Sequence, residues 1–457
     1  MNTGSLDQYG YSWLAFPFLG TLPYAISFKL FGLGLFQARI VSFFFGVILL
    51  IAIFFVGWIN YGKMTGILAA LILSLSQPFI YSSHLARQDI ILAAMVVIAY
   101  GLSLYALRTE KWWAHLLSGL ILGFSIDVHE NAALFIPGLA VVYLFNYQSV
   151  LIRKRGTWLV AIGGLIGIAY YVIYHILPSP VSYRLINSYW YETSHYMPIL
   201  ALSFRVILQS LLKEIGSFHF YYNSIDFALL GASLIYLFAR RFKSDISLLL
   251  FILIAFFDFV LFQGVKTDYY AILFYPFLML LIAEMFVSVF RQSHLKMINL
   301  GFIAPLLFIF LCNGFIHFER PLDQNKNYDY SLTAGTIRNA IPHGAKVMGS
   351  PTWWMGFSDF DYQSNTGLLF YNFYNGYSLT KGLEMIHPDI IIFDPFMEYI
   401  LSPDRADSIL RTEPILPLQE FIDFLNQRGK MLLDFENPGD GHIQVFSINW
   451  EPVSISN

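Results

Sequence analysis

The residues best suited to chemistry lie in a short polar segment between two apolar runs, and they include His84, Arg87 and Asp89. A carboxylate at the rim of an apolar cavity can act as a general base or bind a metal ion. A neighbouring guanidinium can bind a phosphate through two hydrogen bonds. The segment can therefore activate a hydroxyl beside an anionic leaving group, although Arg87 and Asp89 suit a role as caps and anchors of helix ends equally well.

Two further polar groups interrupt apolar sequence. Asp127, His129 and Glu130 lie between two short apolar runs, where they can line the same cavity or stabilise a tight turn. Lys266 and Tyr269 precede another apolar run, where a lysine can anchor the chain at the lipid head groups or bind a lipid phosphate. Polar groups at membrane depth are costly, and this makes them candidates for function.

The composition excludes an ordinary soluble protein. Of 457 residues, 57% are hydrophobic and 12% are charged, against about 25% charged in a typical soluble domain. The apolar residues form long runs, which predict an α-helical polytopic membrane protein. The single cysteine, Cys312, excludes an internal disulfide, and no Cys/His spacing is typical of a zinc site.

The apolar runs are long enough to predict membrane-spanning helices, each of which needs about 20 residues. The runs at 114–126 and 131–147 are short and form either two spans or one long helix; the distribution of charge favours two. Ten spans are predicted at about 40–59, 65–82, 90–107, 114–126, 131–147, 158–176, 226–239, 246–263, 270–290 and 298–318.

Basic residues predict the orientation of these spans. With an outer N-terminus, five short cytoplasmic loops contain 11 of the 18 Lys and Arg residues found in 1–319. A single helix over 114–147 would put the basic run 153–155 on the opposite side. The polar groups described above, and all residues after about 319, are then predicted to face outward.

Two apolar segments on the outer side are predicted to lie at the membrane interface without crossing it. Residues 11–31 are rich in aromatic side chains but are broken by Pro17 and Pro23. Residues 198–215 mix apolar positions with charged ones. Both segments can shape a cavity at the membrane surface.

The charge changes sign near residue 320. Residues 1–319 carry a net charge of +5 and residues 320–457 a net charge of −8, which predicts a transmembrane domain followed by a small, acidic, extracytoplasmic α/β domain. The chain lacks the glycine-rich motifs of nucleotide-binding proteins and the G-x-S-x-G motif of serine hydrolases, and it lacks the basic balance typical of nucleic-acid binding. Helices are predicted at 333–341 and 418–428, and strands at 345–349, 389–394, 430–435 and 442–448.

Three segments resemble motifs of one family, the protein O-mannosyltransferase and lipid A aminoarabinose transferase superfamily. The run from Leu30 to Arg39 resembles the entry to one of its transmembrane helices. The run from Ala86 to Leu92 resembles its outer-loop motif that ends in Asp, and the run from Lys266 to Tyr270, followed by a proline and a Leu-rich run, resembles a later segment. The order of the motifs and the outer C-terminal domain also agree.

The resemblance implies a membrane glycosyltransferase of the C-type fold. Such an enzyme transfers a sugar from a polyprenyl-phosphate carrier to a lipid, glycan or protein acceptor at the outer face of the cell membrane. Asp89 matches the family's second functional carboxylate and is the expected catalytic residue. Arg87 lies beside it, and Lys266 and Tyr269 match the segment near the lipid phosphate, so these three are expected to bind the donor phosphate.

Three other residues are predicted to line the cavity from their position in the topology alone: His84, His129 and Glu130. The sequence leaves open whether a divalent cation such as Mg²⁺ or Mn²⁺ takes part, and it does not identify the sugar or the acceptor. The transferred sugar is expected to be a hexosyl or pentosyl group.

The chain departs from the family at its start. The family has an acidic residue in the first outer loop, just after the first transmembrane helix, whereas this sequence begins within that loop and offers only Asp7 as a weak substitute. We therefore expect that the reading frame is truncated. Without the acidic motif, two alternatives stay open: a noncatalytic membrane scaffold, or a transporter, which would show inverted repeats or broken helices that meet at the midplane.

Overall fold

The structure is a computed structural model in which the described residues form two compact units. A helical unit takes in those between 14 and 180 and between 195 and 320, and an α/β unit those between 181 and 194 and from 321 onward. The described residues are 17–178, 180–192, 203–217, 224–240, 242–263, 268–292, 304–305, 308, 312, 329–402 and 417–451.

The helices of the helical unit follow the apolar runs and end where glycine, proline or polar residues interrupt them. Gly62, for example, ends the longest helix with a φ of 113°, a conformation that other residues rarely adopt. The helices are α1 (Phe18–Phe31), α2 (Leu35–Tyr61), α3 (Lys63–Ser74), α4 (Gln77–His84), α5 (Asp89–Thr109), α6 (Trp112–Ser125), α7 (Ile136–Tyr147), α8 (Arg155–Tyr171), α9 (Pro180–Glu192, in the α/β unit from Val181 on), α10 (Phe204–Ser217), α11 (Ser224–Arg240), α12 (Lys243–Phe262) and α13 (Tyr275–Gln292), with 3₁₀ segments at Glu130–Phe135, Gln148–Arg153 and Asp268–Leu273 and a π-helical turn at Val172–Ile176.

Several of these helices are long and apolar enough to cross a membrane. Among the described residues there are five such segments, and a sixth if α3 and α4, which meet at a bend of 65°, count as one span. The predicted count of ten spans stays a prediction, because most of the tenth run, 298–318, lies outside the described residues. The five segments are Leu35–Tyr61, Asp89–Thr109, Glu130–Arg153, Arg155–Ile176 and Lys243–Phe262.

The structure confirms one predicted boundary and corrects another. Residues 126–129 separate α6 from the 3₁₀ segment before α7, as the charge distribution predicts. The prediction that Pro17 and Pro23 both break the first interfacial segment is wrong in part, since α1 begins directly after Pro17 but continues through Pro23. A proline inside a helix leaves one carbonyl without its amide partner, so α1 depends on contacts beyond its own backbone.

Asp127 supplies such a contact by capping the N-terminus of α1. Its Oδ1 accepts a hydrogen bond from the Phe18 amide (2.8 Å) and its Oδ2 accepts one from the Leu19 amide (3.2 Å). His175 Nε2 also lies 2.7 Å from Oδ1. Burial raises the pKa of the Asp127 carboxyl group more than the Phe18 amide and His175 lower it. This polar residue of the turn therefore has a structural role.

Glycines let α6 and α8 pack at close range. A Cβ atom built on Gly163 would lie 2.7 Å from the Leu120 nitrogen, and one built on Gly123 would lie 2.5 Å from the Gly164 oxygen. Distances this short exclude any side chain. The small residues of this stripe therefore bring two membrane helices into backbone contact.

At the opposite end of the helical unit, Arg240 pairs with two buried carboxylates. Its Nε and Nη2 donate to Asp245 at 2.8 and 2.7 Å, and its Nη1 donates to Glu284 Oε1 at 2.7 Å. The Thr65 hydroxyl donates to Glu284 Oε2 at 2.9 Å. All four carboxylate oxygens are therefore bonded, as buried charges require.

The α/β unit contains a five-stranded sheet in the order β2-β1-β3-β5-β4. The first three strands are parallel, and β5 pairs antiparallel with both β3 and β4. The predicted helices and strands are confirmed, whereas β2 and the helices α15, α16 and α17 are not found by the sequence patterns. The elements are α14 (Tyr330–Ala340), β1 (Lys346–Gly349), a 3₁₀ segment (Pro351–Phe357), β2 (Asp361–Ser364), α15 (Thr366–Asn375), α16 (Leu379–Ile386), β3 (Ile390–Phe393), α17 (Pro395–Leu401), α18 (Leu418–Arg428), β4 (Gly429–Asn437) and β5 (Gly441–Ile448).

Alternate strand residues build a core on each face of this sheet. Met348 and Ile391 pack on one face with α15 to α18, and Val347 and Ile390 pack on the other with α14 and the 3₁₀ segment. Asp394, at the end of β3, is buried and joins these layers. Its carboxylate accepts hydrogen bonds from the Ser350 hydroxyl (2.6 Å), the Trp353 indole (2.8 Å) and the Met397 amide (2.8 Å).

The close contact between α6 and α8 predicts that substitution by alanine destabilises the protein at Gly163 but not at the adjacent Gly164. Gly163→Ala should destabilise the protein by about 1–3 kcal/mol, because the added methyl group overlaps the α6 backbone. Gly164→Ala is the matched control, since its Cβ would have no neighbour closer than 3.8 Å. Thermal unfolding in detergent, followed by tryptophan fluorescence, measures both. Equal melting temperatures of the two variants would contradict the packing.

Candidate active site

Asp89 is the first residue of α5 and lies at the polar end of the helical unit, where the helix dipole stabilises a carboxylate. Only 2% of the residue is exposed. Its Oδ2 accepts a hydrogen bond from Arg87 Nε at 2.7 Å. Its Oδ1 is buried, and no described residue donates a hydrogen bond to it. A buried oxygen that lacks a donor is poised to accept a proton from a bound hydroxyl.

Arg87 lies against an aromatic platform. Its guanidinium carbon is 4.2 Å from the centre of the Tyr269 ring, and Tyr269 stacks on Tyr81 with 5.7 Å between ring centres. The side chain is 42% exposed, so part of its hydrogen-bonding edge faces solvent. Burial lowers the pKa of the Arg87 guanidinium, but the Asp89 carboxylate outweighs this and the net shift is upward. The group therefore stays cationic and can bind a phosphate.

Tyr24, a residue that the sequence analysis does not single out, ties this loop to two other helices. Its hydroxyl donates to the Arg87 carbonyl at 2.8 Å, and it lies 2.9 Å from the Ser42 hydroxyl of α2. The Asp127 cap fixes the start of α1, on which Tyr24 lies. The position of the Arg87 backbone thus depends on contacts with α1 and α2.

His129 lies near the Asp89 carboxylate, and its ring contacts Tyr270 with 5.7 Å between ring centres. Its Nδ1 accepts a hydrogen bond from the Asn131 amide at 3.2 Å. Burial lowers the pKa of His129 more than the nearby Asp89 and Glu130 carboxylates raise it. The ring is therefore neutral at pH 7, which suits it to polar contact better than to binding an anion.

The other predicted residues have different surroundings. His84 ends α4, and its Nδ1 lies 2.7 Å from the Ile80 carbonyl of the same helix. Glu130 Oε1 accepts a hydrogen bond from the Tyr171 hydroxyl at 2.9 Å. Lys266 lies outside the described residues. The structure thus brings Asp89, Arg87 and Tyr269 together and places His129 beside them, and it gives His84 and Glu130 partners elsewhere.

An apolar groove of about 570 Å³ is lined in part by α5, the helix that begins at Asp89. It runs between α1, α2 and α5 and is open toward one side of the helical unit. Two of its residues, Ile91 and Val128, are close in sequence to Asp89 and His129. Its lining consists of Leu19, Leu22, Pro23, Ile26, Ser27, Leu30, Phe31, Ile40, Val41, Phe44, Phe45, Ile91, Met95 and Val128.

The described residues provide no group of three or more His, Cys, Asp or Glu side chains with metal-binding geometry. Asp89 Oδ1 is the single carboxylate oxygen of the cluster with free capacity. The question of a divalent cation therefore stays open.

A comparison with models of protein families matches part of the chain. Residues 16–174 match the sequence model described as dolichyl-phosphate-mannose-protein mannosyltransferase. This segment contains Arg87, Asp89 and His129 and ends before Tyr269. A comparison with curated protein sequences finds no significant match.

Solved structures of two membrane transferases resemble the whole chain. ArnT from Cupriavidus metallidurans in the apo state has a TM-score of 0.60 at 11% identity, covering 96% of this chain and 88% of that one. The same protein bound to undecaprenyl phosphate has a TM-score of 0.57 at 11% identity, covering 96% and 89%. The oligosaccharyltransferase AglB from Archaeoglobus fulgidus, in complex with an inhibitory peptide and a dolichol-phosphate, has a TM-score of 0.53 at 11% identity, covering 96% and 67%.

At this identity the likeness is one of fold, and it extends over the transmembrane helices and the C-terminal α/β unit alike. The resemblance inferred from the sequence is thereby confirmed: the chain has the C-type glycosyltransferase fold of the protein O-mannosyltransferase and lipid A aminoarabinose transferase superfamily.

Proposed function

We propose that this protein is a membrane glycosyltransferase that transfers a hexosyl or pentosyl group from a polyprenyl-phosphate donor to an acceptor hydroxyl at the outer face of the membrane. One observation carries the proposal: a buried carboxylate, with one oxygen paired with an arginine and the other without a described donor, begins the helix that lines one wall of an apolar groove. The family match over 16–174 and the ligands of the two similar proteins support the choice of donor.

The groove supplies the affinity for the lipid part of the donor. Its lining is almost wholly apolar, and each buried CH₂ group contributes about 0.8 kcal/mol. Several isoprenoid units therefore bind well without any specific contact. The phosphate of such a donor is then held at the rim, near Arg87 and Tyr269.

The sugar is transferred in one displacement. Asp89 Oδ1 takes the proton of the acceptor hydroxyl, the acceptor oxygen forms a bond to C1 of the sugar, and the bond from C1 to the phosphate oxygen breaks. The electron pair of that bond leaves with the polyprenyl phosphate, and the configuration at C1 inverts. Arg87 stabilises the negative charge that develops on the leaving phosphate, and Lys266 is the second cation that we assign to this task.

The charge and shape of the site favour a donor whose phosphate carries a lipid chain over a donor that carries a nucleotide. The chain has no glycine-rich phosphate loop, and the cation beside Asp89 is an arginine that lies against the aromatic ring of Tyr269. The acceptor hydroxyl approaches from the aqueous side, where Arg87 is exposed.

Replacing Asp89 tests the assignment of the base. Asp89→Asn keeps the shape of the side chain but cannot accept the proton, so kcat should fall by about 10²–10⁴ with little change in KM for the donor. The protein is reconstituted in liposomes with a total lipid extract as the acceptor source. Release of prenyl phosphate is measured with prenyl-phosphate mannose, glucose, arabinose and galactosamine as donors.

Asp423→Asn serves as the matched control, because this carboxylate is exposed on α18 and, among the described residues, bonds only to Gln419 on its own helix. It should keep full activity. Wild-type turnover in Asp89→Asn would show that the base is another group. No turnover of any donor by the wild-type protein would contradict the proposed function itself.

Substitutions of Tyr269 test whether its aromatic ring positions Arg87. Tyr269→Leu removes the ring face, and the KM for the donor should rise about 2–30-fold, because a cation–π contact contributes about 0.5–2 kcal/mol. Tyr269→Phe keeps the face and should resemble the wild type. Equal losses in both variants would assign the effect to the hydroxyl group and would contradict a stacking role.

A further inference from the structure

A second apolar groove lies between α6, α7 and α8 and shares no residue with the first. Its volume is about 390 Å³. From Thr157 to Ile168 it follows α8 for about 16 Å, which is about half of the 30 Å hydrocarbon core of a bilayer. Its length therefore matches one leaflet. The lining consists of Gly119, Leu122, Gly123, Ile136, Leu139, Ala140, Tyr143, Leu151, Thr157, Val160, Ala161, Gly164, Leu165 and Ile168.

One end of this groove is marked by three consecutive basic residues. Lys154 is already neutralised, because its Nζ lies 3.3 Å from Glu110 and 5.3 Å from the centre of the Tyr147 ring. Arg153 and Arg155 are exposed and have no ion pair with any described residue. Both also lie at the start of α8, where the helix dipole is positive and disfavours cations. In the described part of the chain, these two guanidinium groups have no compensating carboxylate.

Side-chain hydrogen bonds fix the backbone around these arginines. They lie at the end of the groove where α8 begins, which we call its mouth. The Thr157 hydroxyl donates to the Leu151 carbonyl at 2.7 Å, and both residues line the groove. The Trp158 indole donates to the Ile152 carbonyl at 2.8 Å. The basic run is thus enclosed by two contacts that fix the chain on either side of it.

Two exposed tryptophans indicate how deep the mouth of the groove lies in the membrane. Trp158 is 55% exposed and Trp112, at the start of α6, is 56% exposed. Exposed tryptophans of membrane helices lie at the level of the lipid head groups. The free guanidinium groups therefore lie at head-group level, and the apolar groove extends from them into the hydrocarbon layer.

We infer that this groove binds one acyl chain of an anionic glycerophospholipid, whose phosphate contacts Arg153 and Arg155. A lipid matches both parts of the site: its chain length fits one leaflet, and its charge compensates the two arginines. A free phosphate or a soluble anion would leave the groove empty, and a neutral lipid would leave the arginines uncompensated. The site is separate from the Asp89 cluster and does not depend on the proposed function.

Native mass spectrometry of the full chain in neutral detergent tests the inference. The probes are phosphatidylglycerol and phosphatidylcholine with identical chains. Phosphatidylglycerol should bind more tightly, and the double variant Arg153→Gln/Arg155→Gln should lose about tenfold or more of that affinity, since each basic residue near the surface contributes about fivefold. Phosphatidylcholine binding should not change.

Ala161→Phe tests the groove independently of charge. Ala161 is exposed within the lining, so a phenyl group there fills the groove without disturbing the core, and both lipids should bind more weakly. The matched controls are Ala169→Phe, an exposed position of α8 outside the groove, and Lys63→Gln, a basic residue of another loop. Neither should alter lipid binding.

Each outcome bears on the inference. Unchanged phosphatidylglycerol binding in the arginine double variant overturns the head-group contact, and unchanged binding in Ala161→Phe shows surface adsorption and overturns the groove. Displacement of phosphatidylglycerol by glycerol 1-phosphate, which has no acyl chain, also overturns it. Size-exclusion chromatography confirms that each variant is folded before it is measured.

Discussion

A charge buried in an apolar interior is stable only when its hydrogen-bonding capacity is used, and this constraint organises both units of the protein. Asp127, Asp245, Glu284 and Asp394 are buried, and both oxygens of each accept hydrogen bonds. Asp127, Glu284 and Asp394 each link segments that are far apart in the chain. The few polar groups of the interior therefore determine how the apolar helices and strands are arranged.

Asp89 departs from this pattern. Arg240 shows that the fold can saturate two carboxylates with one guanidinium and a threonine, whereas Arg87 bonds only one oxygen of Asp89 and leaves the other without a described donor. An unsatisfied buried oxygen costs about 1–3 kcal/mol or more. A cost of this kind is expected where a substrate supplies the missing donor. The contrast between Asp245 and Asp89 therefore supports the proposed role of Asp89 as a base.

Local patterns predicted much of this structure, and long-range contacts explain what they missed. The helix 418–428 ends at Gly429 as predicted, because apolar spacing and a terminal glycine are local signals. The strand Asp361–Ser364 was missed because three of its four residues are polar, so it shows no apolar run. The bend between α3 and α4 was missed, because the run 65–82 was predicted as one span although Pro78 lies near the start of α4. The role of Tyr24 had no signal, since its contact joins residues 63 positions apart.

The Arg87–Asp89 pair couples two steps of the proposed reaction through its net charge. Before transfer the two side chains neutralise each other. When Asp89 accepts the proton of the acceptor hydroxyl, its charge disappears and Arg87 is left with a full positive charge. Negative charge develops on the leaving phosphate at the same moment, so the attraction between Arg87 and the phosphate strengthens as the bond breaks. A cation without such a partner would attract the donor and the product alike, whereas the pair favours the phosphate chiefly as the bond breaks.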